Sequence, residues 1–328
     1  MKLRILSAKD VEQALPMPQA IEVMRRAFGQ LSAGQARMPL RSRLETEQGL
    51  MLLMPAYLSQ SQELAVKTVT LWGDNPSRGL PAVMALATVF DPQTGQPVAL
   101  LNGEALTAIR TGAGGGLAAD LLARSDASHV TVFGAGVQAR AQLKAVCVVR
   151  PIKTVSIVGR SAESLEKFAA EVRQWPYKLT VDTPVGNDIH EAVAQSNIII
   201  TATNSTTPVF DGKYLSAGTH ITGVGSYSAT MQEVDVVTVK RSKIVVDSLQ
   251  ACLAEAGDLV IPINNNQLRK VDLHGELGQI VNQEIPGREN SDEITFFKSV
   301  GVAVQDTSAA TEAYKVANKL NLGQIIEL

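Results

Sequence analysis

Two groups of residues in this 328-residue sequence have types and spacings suited to chemistry. In the first, the apolar run Val130-Thr131-Val132-Phe133 leads into Gly134-Ala135-Gly136-Val137-Gln138-Ala139. A strand that enters a G-x-G-x-x-A turn and opens a helix offers backbone N–H groups and a positive helix end to a pyrophosphate. A second apolar run, Thr154–Val158, follows at βαβ spacing, so the turn predicts a dinucleotide site rather than an ordinary strand-to-helix turn. Where an acidic residue would accept from a ribose 2′-hydroxyl, the chain has Gly159-Arg160-Ser161. A guanidinium and a hydroxyl suit a 2′-phosphate, which favours NADP(H) and leaves NAD(H) as the second choice. The plainer alternative is that Arg160 extends into solvent and Ser161 caps the next helix.

The second group is basic. Lys67 interrupts the apolar run ELAVKTVTL, where a charge is costly unless paired. Either a functional partner or a strand edge open to solvent would account for it. Arg41 and Arg43 share a strand face by their spacing, with a solvated basic face as the plainer alternative, and Arg110 stands beside a run of small residues, with a structural ion pair as its plainer alternative. The four histidines (His129, His190, His220, His274) have no ligand spacing, and each reads as structural. Cys147 and Cys252 lie far apart without a CxxC. Neither a metal centre nor a disulfide framework is expected.

The hydrophobic pattern that must position these groups changes twice along the chain. Ser7 can cap a short helix, and Pro18 suits the first turn of another, with Ile21, Val23, Met24, Ala27, Phe28 and Leu31 at helical spacing and Gly34 as the stop. From Leu40 to Leu101, short apolar runs between Gly/Pro/Asn/Asp clusters read as antiparallel strands, with a hairpin turn at Asp91–Gly95. Leu106–Ala123 is rich in small residues and reads as a closely packed helix. From His129 onward, buried strands alternate with helical segments, the pattern of a parallel sheet covered on both faces. Asp306–Leu320 reads as a final helix that returns to the N-terminal region.

Composition narrows the function classes. Thirty Lys and Arg against 32 Asp and Glu give a net charge of −2, which argues against a nucleic-acid binder. With 45% hydrophobic residues and a mean hydropathy of +0.07, a sizeable core is expected and disorder is not. No apolar run approaches the roughly 18 residues of a membrane span, and the N-terminus lacks a secretory pattern. A cytoplasmic protein with no membrane partner is expected.

Further segments carry a family resemblance: Ala108-Ile109-Arg110-Thr111-Gly112-Ala113, Phe90-Asp91-Pro92 with Thr94-Gly95, VGSYSATMQEVD around Ser226, and Phe297-Lys298-Ser299-Val300-Gly301-Val302-Ala303-Val304-Gln305-Asp306. Together with GAGVQA, and in this order over the whole chain, they resemble the ornithine cyclodeaminase/mu-crystallin family. The resemblance implies an α/β fold in which a Rossmann doubly wound parallel sheet (residues 114–303) is inserted into an α+β substrate-binding and dimerisation domain (residues 1–113 and 304–328). It also implies a homodimer and hydride exchange at the α-carbon of a small imino or amino acid.

The same resemblance implies roles for particular residues. Lys67, Arg41 and Arg110 match carboxylate-binding and catalytic positions, and Ser226 matches the Asp of the cyclodeaminases' G-x-D-x-P-G-K-x-E-L segment. Thr111, Gly134, Ala135, Gly136, Val137, Gln138, Arg160, Ser161, Thr201, Ala202, Thr203, Val224 and Ser299 match cofactor positions. Glu255-Ala256-Gly257-Asp258 resembles a loop near the substrate pocket. Loss of the Asp and of the Pro-Gly-Lys stretch disfavours cyclodeamination, which needs a group to act on water or amine. A cyclic imine needs a carboxylate clamp, a hydride donor and one proton. The expectation is therefore NAD(P)H-dependent reduction of a cyclic ketimine carboxylate, Δ1-pyrroline-2-carboxylate above all and Δ1-piperideine-2-carboxylate next. Alanine dehydrogenase, ornithine cyclodeaminase and an NADP-dependent binding protein of the mu-crystallin type are the alternatives.

Overall fold

The N-terminal helices begin where local chemistry sets them. Ser7 Oγ accepts from the Asp10 backbone N–H, and the Asp10 carboxylate accepts from that of Ser7, a reciprocal cap for the helix Ala8–Ala14. Pro18 lies in the first turn of the helix Met17–Ser32, and Gly34 follows with a φ of +71°. The computed structural model describes all residues from Met1 to Leu328. They divide into two units, Met1–Arg110 with Val302–Leu328, and Thr111–Gly301.

The first unit is built on one mixed sheet. Its strands run in the order Gln324–Glu327, Lys2–Leu6, Pro97–Asn102, Val83–Phe90, Glu63–Leu71, Leu50–Leu58 and Ala36–Arg37, with Ser42–Glu45 also paired to Leu50–Leu58. All neighbours are antiparallel except Lys2–Leu6 with Pro97–Asn102. The hairpin at Asp91–Gly95 is closed by Asp91 Oδ1, which accepts from the N–H groups of Gln93 and Thr94 at 2.8 and 3.0 Å.

The C-terminal helix, Ala303–Leu320, lies on one face of this sheet and against Met17–Ser32. It starts three residues ahead of the expected Asp306, because Gln305 Oε1 accepts from the Val302 N–H at 3.0 Å and closes the first turn. Side chains alternate across a strand. Glu63, Ala65 and Lys67 consequently point into the covered face, in register with buried Met54 and Ala87. The opposite face stays open and apolar, with Leu53, Met84 and Leu86 exposed by 40, 38 and 52%.

The second unit is an eight-stranded, wholly parallel sheet in the order Thr180–Asp182, Thr154–Val158, His129–Phe133, Ile198–Thr201, His220–Gly223, Ile294–Lys298, Ser242–Val246 and Leu273–Glu276. Its central strands carry Val130, Val132, Val155, Ile157, Ile198 and Ile200, which pack with Leu143, Val146, Phe168 and Val172 of the covering helices. Burial on both faces explains why these strands read as nearly continuous apolar runs. The strand His129–Phe133 lies between its sequence successor and Ile198–Thr201, so the order reverses there and opens a crevice at the carboxyl ends. The chain has no helix long and apolar enough to cross a membrane.

Candidate active site

A buried charge cluster forms in the first unit. Lys67 is 2% exposed, in a strand paired on both sides, which removes the reading of it as an edge lysine. Its Nζ donates to Asp306 Oδ1 at 2.8 Å and to Thr107 Oγ1 at 3.3 Å. Arg110, one helical turn beyond Thr107, donates through Nε to the same Asp306 Oδ1 at 2.8 Å and through Nη1 to Gln305 Oε1 at 3.1 Å. Two cations thus share one carboxylate oxygen. Asp306 Oδ2 and Gln305 Nε2 are buried without a protein partner.

The electrostatics follow from that sharing. Burial, then the neighbouring Arg110 charge, lower the Lys67 ammonium to about 8, against the upward pull of Asp306; the Arg41 charge lowers it further. Burial alone would raise the Asp306 carboxyl, but Arg110 and Lys67 hold it below the ordinary aspartate range. Lys67 and Arg110 against Asp306 leave one surplus positive charge in a dry site, a setting that favours an anion. An ammonium with a pKa near neutrality can also give up its proton. Arg41 and Arg43 part company: Arg43 is exposed and faces Glu45 at 3.7 Å, whereas Arg41, just ahead of the strand Ser42–Glu45, is half-buried and acts on Lys67.

The crevice of the second unit is a cavity of about 840 Å³ lined by Gly134, Ala135, Gly136, Arg160, Ser161 and Thr203, among others. Gly134 has a φ of +113°, and a Cβ there would stand 2.5 Å from the Ala202 carbonyl oxygen, so only glycine fits. The helix Val137–Val149 starts at Gly136 with no side-chain cap, and a Cβ on Gly136 would meet nothing. Open backbone donors beside open space fit a pyrophosphate. Arg140 braces this turn by donating to the carbonyls of Ala135 and Gly136 and pairing with Glu171 at 2.6 Å. Val137 is exposed, while Gln138 is half-buried. Arg160 donates to Asn204 Oδ1 at 3.2 Å, and Ser161 Oγ accepts from the Ser164 N–H. Ser161 therefore caps the helix Ala162–Arg173 while lining the cavity.

Of the remaining cofactor candidates, Thr111 lies in the helix Gly103–Leu122 and Thr201 ends the strand Ile198–Thr201, while Ala202, Thr203, Val224 and Ser299 lie in segments that follow strands and are braced in part by buried carboxylates. Glu233 Oε1 accepts from the N–H and hydroxyl of Thr203 at 2.6 and 2.8 Å. Its Oε2 accepts from the N–H of Gly225 and Ser226 and from Thr201 Oγ1. Burial raises the Glu233 carboxyl above the ordinary glutamate range, against the pull of Lys298. Asp258 accepts from the N–H groups of Glu233 and Val234 and pairs with Lys298 at 2.9 Å. Asp247 Oδ2 accepts from Ser299 Oγ and from the N–H groups of Val300 and Gly301. Val224 donates to the Thr201 carbonyl, and the Thr111 carbonyl accepts from Gln142 Nε2 at 2.7 Å. Of these candidates, Ala202 and Thr203 line the cavity and Thr201, Val224, Ser299 and Thr111 do not.

Ser226 departs from the catalytic role expected of it. It is fully buried, and its hydroxyl donates to the Met231 carbonyl at 2.8 Å, so it is a strut of its own loop. Counted two residues on from Gly225 and six back from Glu233, the place of the Asp in G-x-D-x-P-G-K-x-E-L falls on Tyr227, which is 47% exposed. Within Glu255–Asp258, Gly257 opens the helix Gly257–Asn264 and Asp258 is part of the buried network. His220 sits between the hydroxyls of Thr295 and Thr222, with burial keeping its pKa well below that of an ordinary histidine. Asp306 and Glu233 are not singled out by the sequence; Asp306 alone carries a signal, an acid inside a mostly apolar and small-residue segment, whereas Glu233 stands beside Gln232 and near Asp235 with nothing to mark it.

Residues 1–321 match the model of the ornithine cyclodeaminase/mu-crystallin family. A Bacillus cereus Δ1-pyrroline-2-carboxylate reductase is 38% identical over 98% of this chain and 99% of its own. Alanine dehydrogenase of Archaeoglobus fulgidus is 33% identical over 100% and 99%. The solved structure of Thermococcus litoralis Δ1-pyrroline-2-carboxylate reductase in complex with NADH and L-proline superposes with a TM-score of 0.93 at 41% identity, covering 98% of this chain and 99% of that one. An archaeal alanine dehydrogenase dimer with bound NAD gives 0.92 at 33% identity, with both chains fully covered. The chain belongs to the ornithine cyclodeaminase/mu-crystallin family.

The two glycines of the turn separate folding from binding. Gly136→Ala should leave stability within about 0.5 kcal/mol of wild type yet weaken dinucleotide binding, because the methyl occupies the open space. Gly134→Ala should lower the unfolding midpoint itself. Urea denaturation and a fluorescence titration with NADPH read the two effects; unchanged NADPH affinity in Gly136→Ala would count against a pyrophosphate there.

Proposed function

We propose that this protein reduces cyclic ketimine carboxylates, Δ1-pyrroline-2-carboxylate to L-proline first and Δ1-piperideine-2-carboxylate to L-pipecolate next, with NADPH preferred over NADH. The chain is a nicotinamide-dependent oxidoreductase. The observation that supports the substrate most directly is the buried Lys67–Asp306–Arg110 cluster, with its surplus positive charge and an ammonium held at about 8. The relatives named as pyrroline-2-carboxylate reductases point the same way.

In this reading Arg110 and Arg41 take the substrate carboxylate. Two of the five guanidinium donors of Arg110 are engaged with Asp306 and Gln305, which leaves donors for an anion. Bound nicotinamide supplies the hydride to the ring α-carbon. Lys67 gives the accompanying proton to the ring nitrogen, so imine, hydride and proton make the secondary amine. No group is needed to expel ammonia. Because the protonated lysine is the active form, reduction falls as pH rises through about 8. The similarity to alanine dehydrogenase keeps reductive amination of pyruvate as the second reading. A panel following NADPH oxidation with the two ketimines, with pyruvate plus ammonia, and with ornithine plus NAD⁺ as a cyclodeaminase control decides between them.

Lys67→Met preserves the packing of the stem and removes the donor. The expected loss in kcat/KM is about 10²- to 10⁴-fold, with NADPH affinity near wild type; near-normal turnover alongside an intact circular dichroism spectrum would falsify this mechanism.

The preference for NADPH rests on Arg160 and Ser161, since no carboxylate stands at the end of the strand Thr154–Val158. A charged hydrogen bond contributes about 1.5–3 kcal/mol, so Arg160→Asp should lower the NADPH/NADH ratio of kcat/KM by roughly ten- to a hundredfold. An unchanged ratio rejects the assignment.

We also propose a cytoplasmic homodimer. The apolar outer face of the first unit's sheet, around Leu53, Met84 and Leu86, is the surface that supports association. Light scattering at micromolar concentration should give twice the 35.0 kDa of the chain, and a single-chain mass defeats the proposal.

A further inference from the structure

We propose that Asp306 is a positioning residue that makes Lys67 the proton donor and leaves the substrate carboxylate to Arg110. This inference rests on the reductase reading and adds to it the residue that enforces its division of labour. Asp306 Oδ1 receives Lys67 Nζ and Arg110 Nε, each at 2.8 Å, so one oxygen atom fixes the separation and direction of both cations. An ammonium has three donors. Lys67 uses one on Asp306 and a second on Thr107 Oγ1, which leaves a single N–H and no means of gripping a carboxylate through two bonds. The guanidinium, with more donors left over, is the better fork.

The groups that face Lys67 are few. The C-terminal helix brings Asp306, the helix Gly103–Leu122 brings Arg110 and Thr107, and Arg41 acts from the segment ahead of Ser42–Glu45. The cross-strand neighbours Met54 and Ala87 are apolar. Glu63, on the same strand face, accepts from Ser308. Asp306 is therefore the carboxylate that opposes burial and the two arginines, and it is the group that keeps Lys67 charged near neutral pH. Without it the lysine would hold its proton less well and sit less firmly.

Asp306→Asn keeps the shape and an acceptor oxygen but removes the charge. Two readouts are needed. In the first, kcat/KM for Δ1-pyrroline-2-carboxylate is followed against pH; its plateau should fall about 10²-fold, and the alkaline limb should move to lower pH than in wild type. A lower yield with an unmoved limb would mean that Asp306 merely supports the fold. In the second, the lysine ¹³Cε resonance of Lys67, assigned with Lys67→Met, is titrated by NMR. Its midpoint should lie near 8 in wild type and lower in Asp306→Asn; equal midpoints overturn the proposal. The titration needs no turnover, so a wild-type protein inactive on the ketimine refutes the substrate reading while this inference is still decided. Should Asp306→Asn fail to fold, Arg110→Gln serves: with Asp306 left to Lys67 alone, the midpoint should rise, and a midpoint that stays in place overturns the sharing.

Discussion

The first unit is organised around one oxygen atom. A charge buried alone costs several kcal/mol, and Lys67 is 2% exposed in the middle of a sheet. Asp306 Oδ1 offsets that cost for Lys67 and Arg110 together. For the oxygen to be there, the C-terminal helix must lie across the strands and must begin at Ala303, which places Asp306 in its first turn. The strand, the helix that carries Arg110 and the returning helix are therefore constrained by a single electrostatic requirement, and so is the chemistry proposed for the site.

The second unit answers a different demand, that of holding the segments beyond its strand ends in place without secondary structure to stiffen them. Glu233 gathers donors from Thr201, Thr203, Gly225 and Ser226, and Asp247 does the same for Ser299, Val300 and Gly301. Backbone N–H groups that have left a strand must find acceptors, and an ionised carboxylate is a strong one. Lys298 and Asp258 complete the balance. Burial works to lower the Lys298 ammonium, yet Asp258 and Glu233 together hold it above the ordinary lysine range.

Local features of this architecture could be read from the sequence, and long-range ones could not. The turn Gly134–Ala139 declares itself because strand, glycines and helix are contiguous. Lys67 stands out because a cation in an apolar strand violates the pattern. Its partner lies 239 residues away, and nothing in either segment names the other. Arg41 and Arg43 look alike by period two, but the strand begins only at Ser42, so the alternation that would pair them does not extend to Arg41. For Ser226 the resemblance offers a position but not an orientation: only the path of the loop shows its hydroxyl turned inward to the Met231 carbonyl.

The alternation along Glu63–Leu71 has a consequence for what the gene can tolerate. Lys67 belongs to the covered face, while its neighbour Thr68 stands in register with exposed Leu53 and Leu86 on the open one. One strand carries two surfaces, a residue apart. Inserting or deleting a single codon within it would exchange them, delivering the ammonium to the apolar exterior and a threonine to Asp306. Length variation in this family should therefore be excluded from such a strand and confined to the turns, whatever freedom its individual side chains retain.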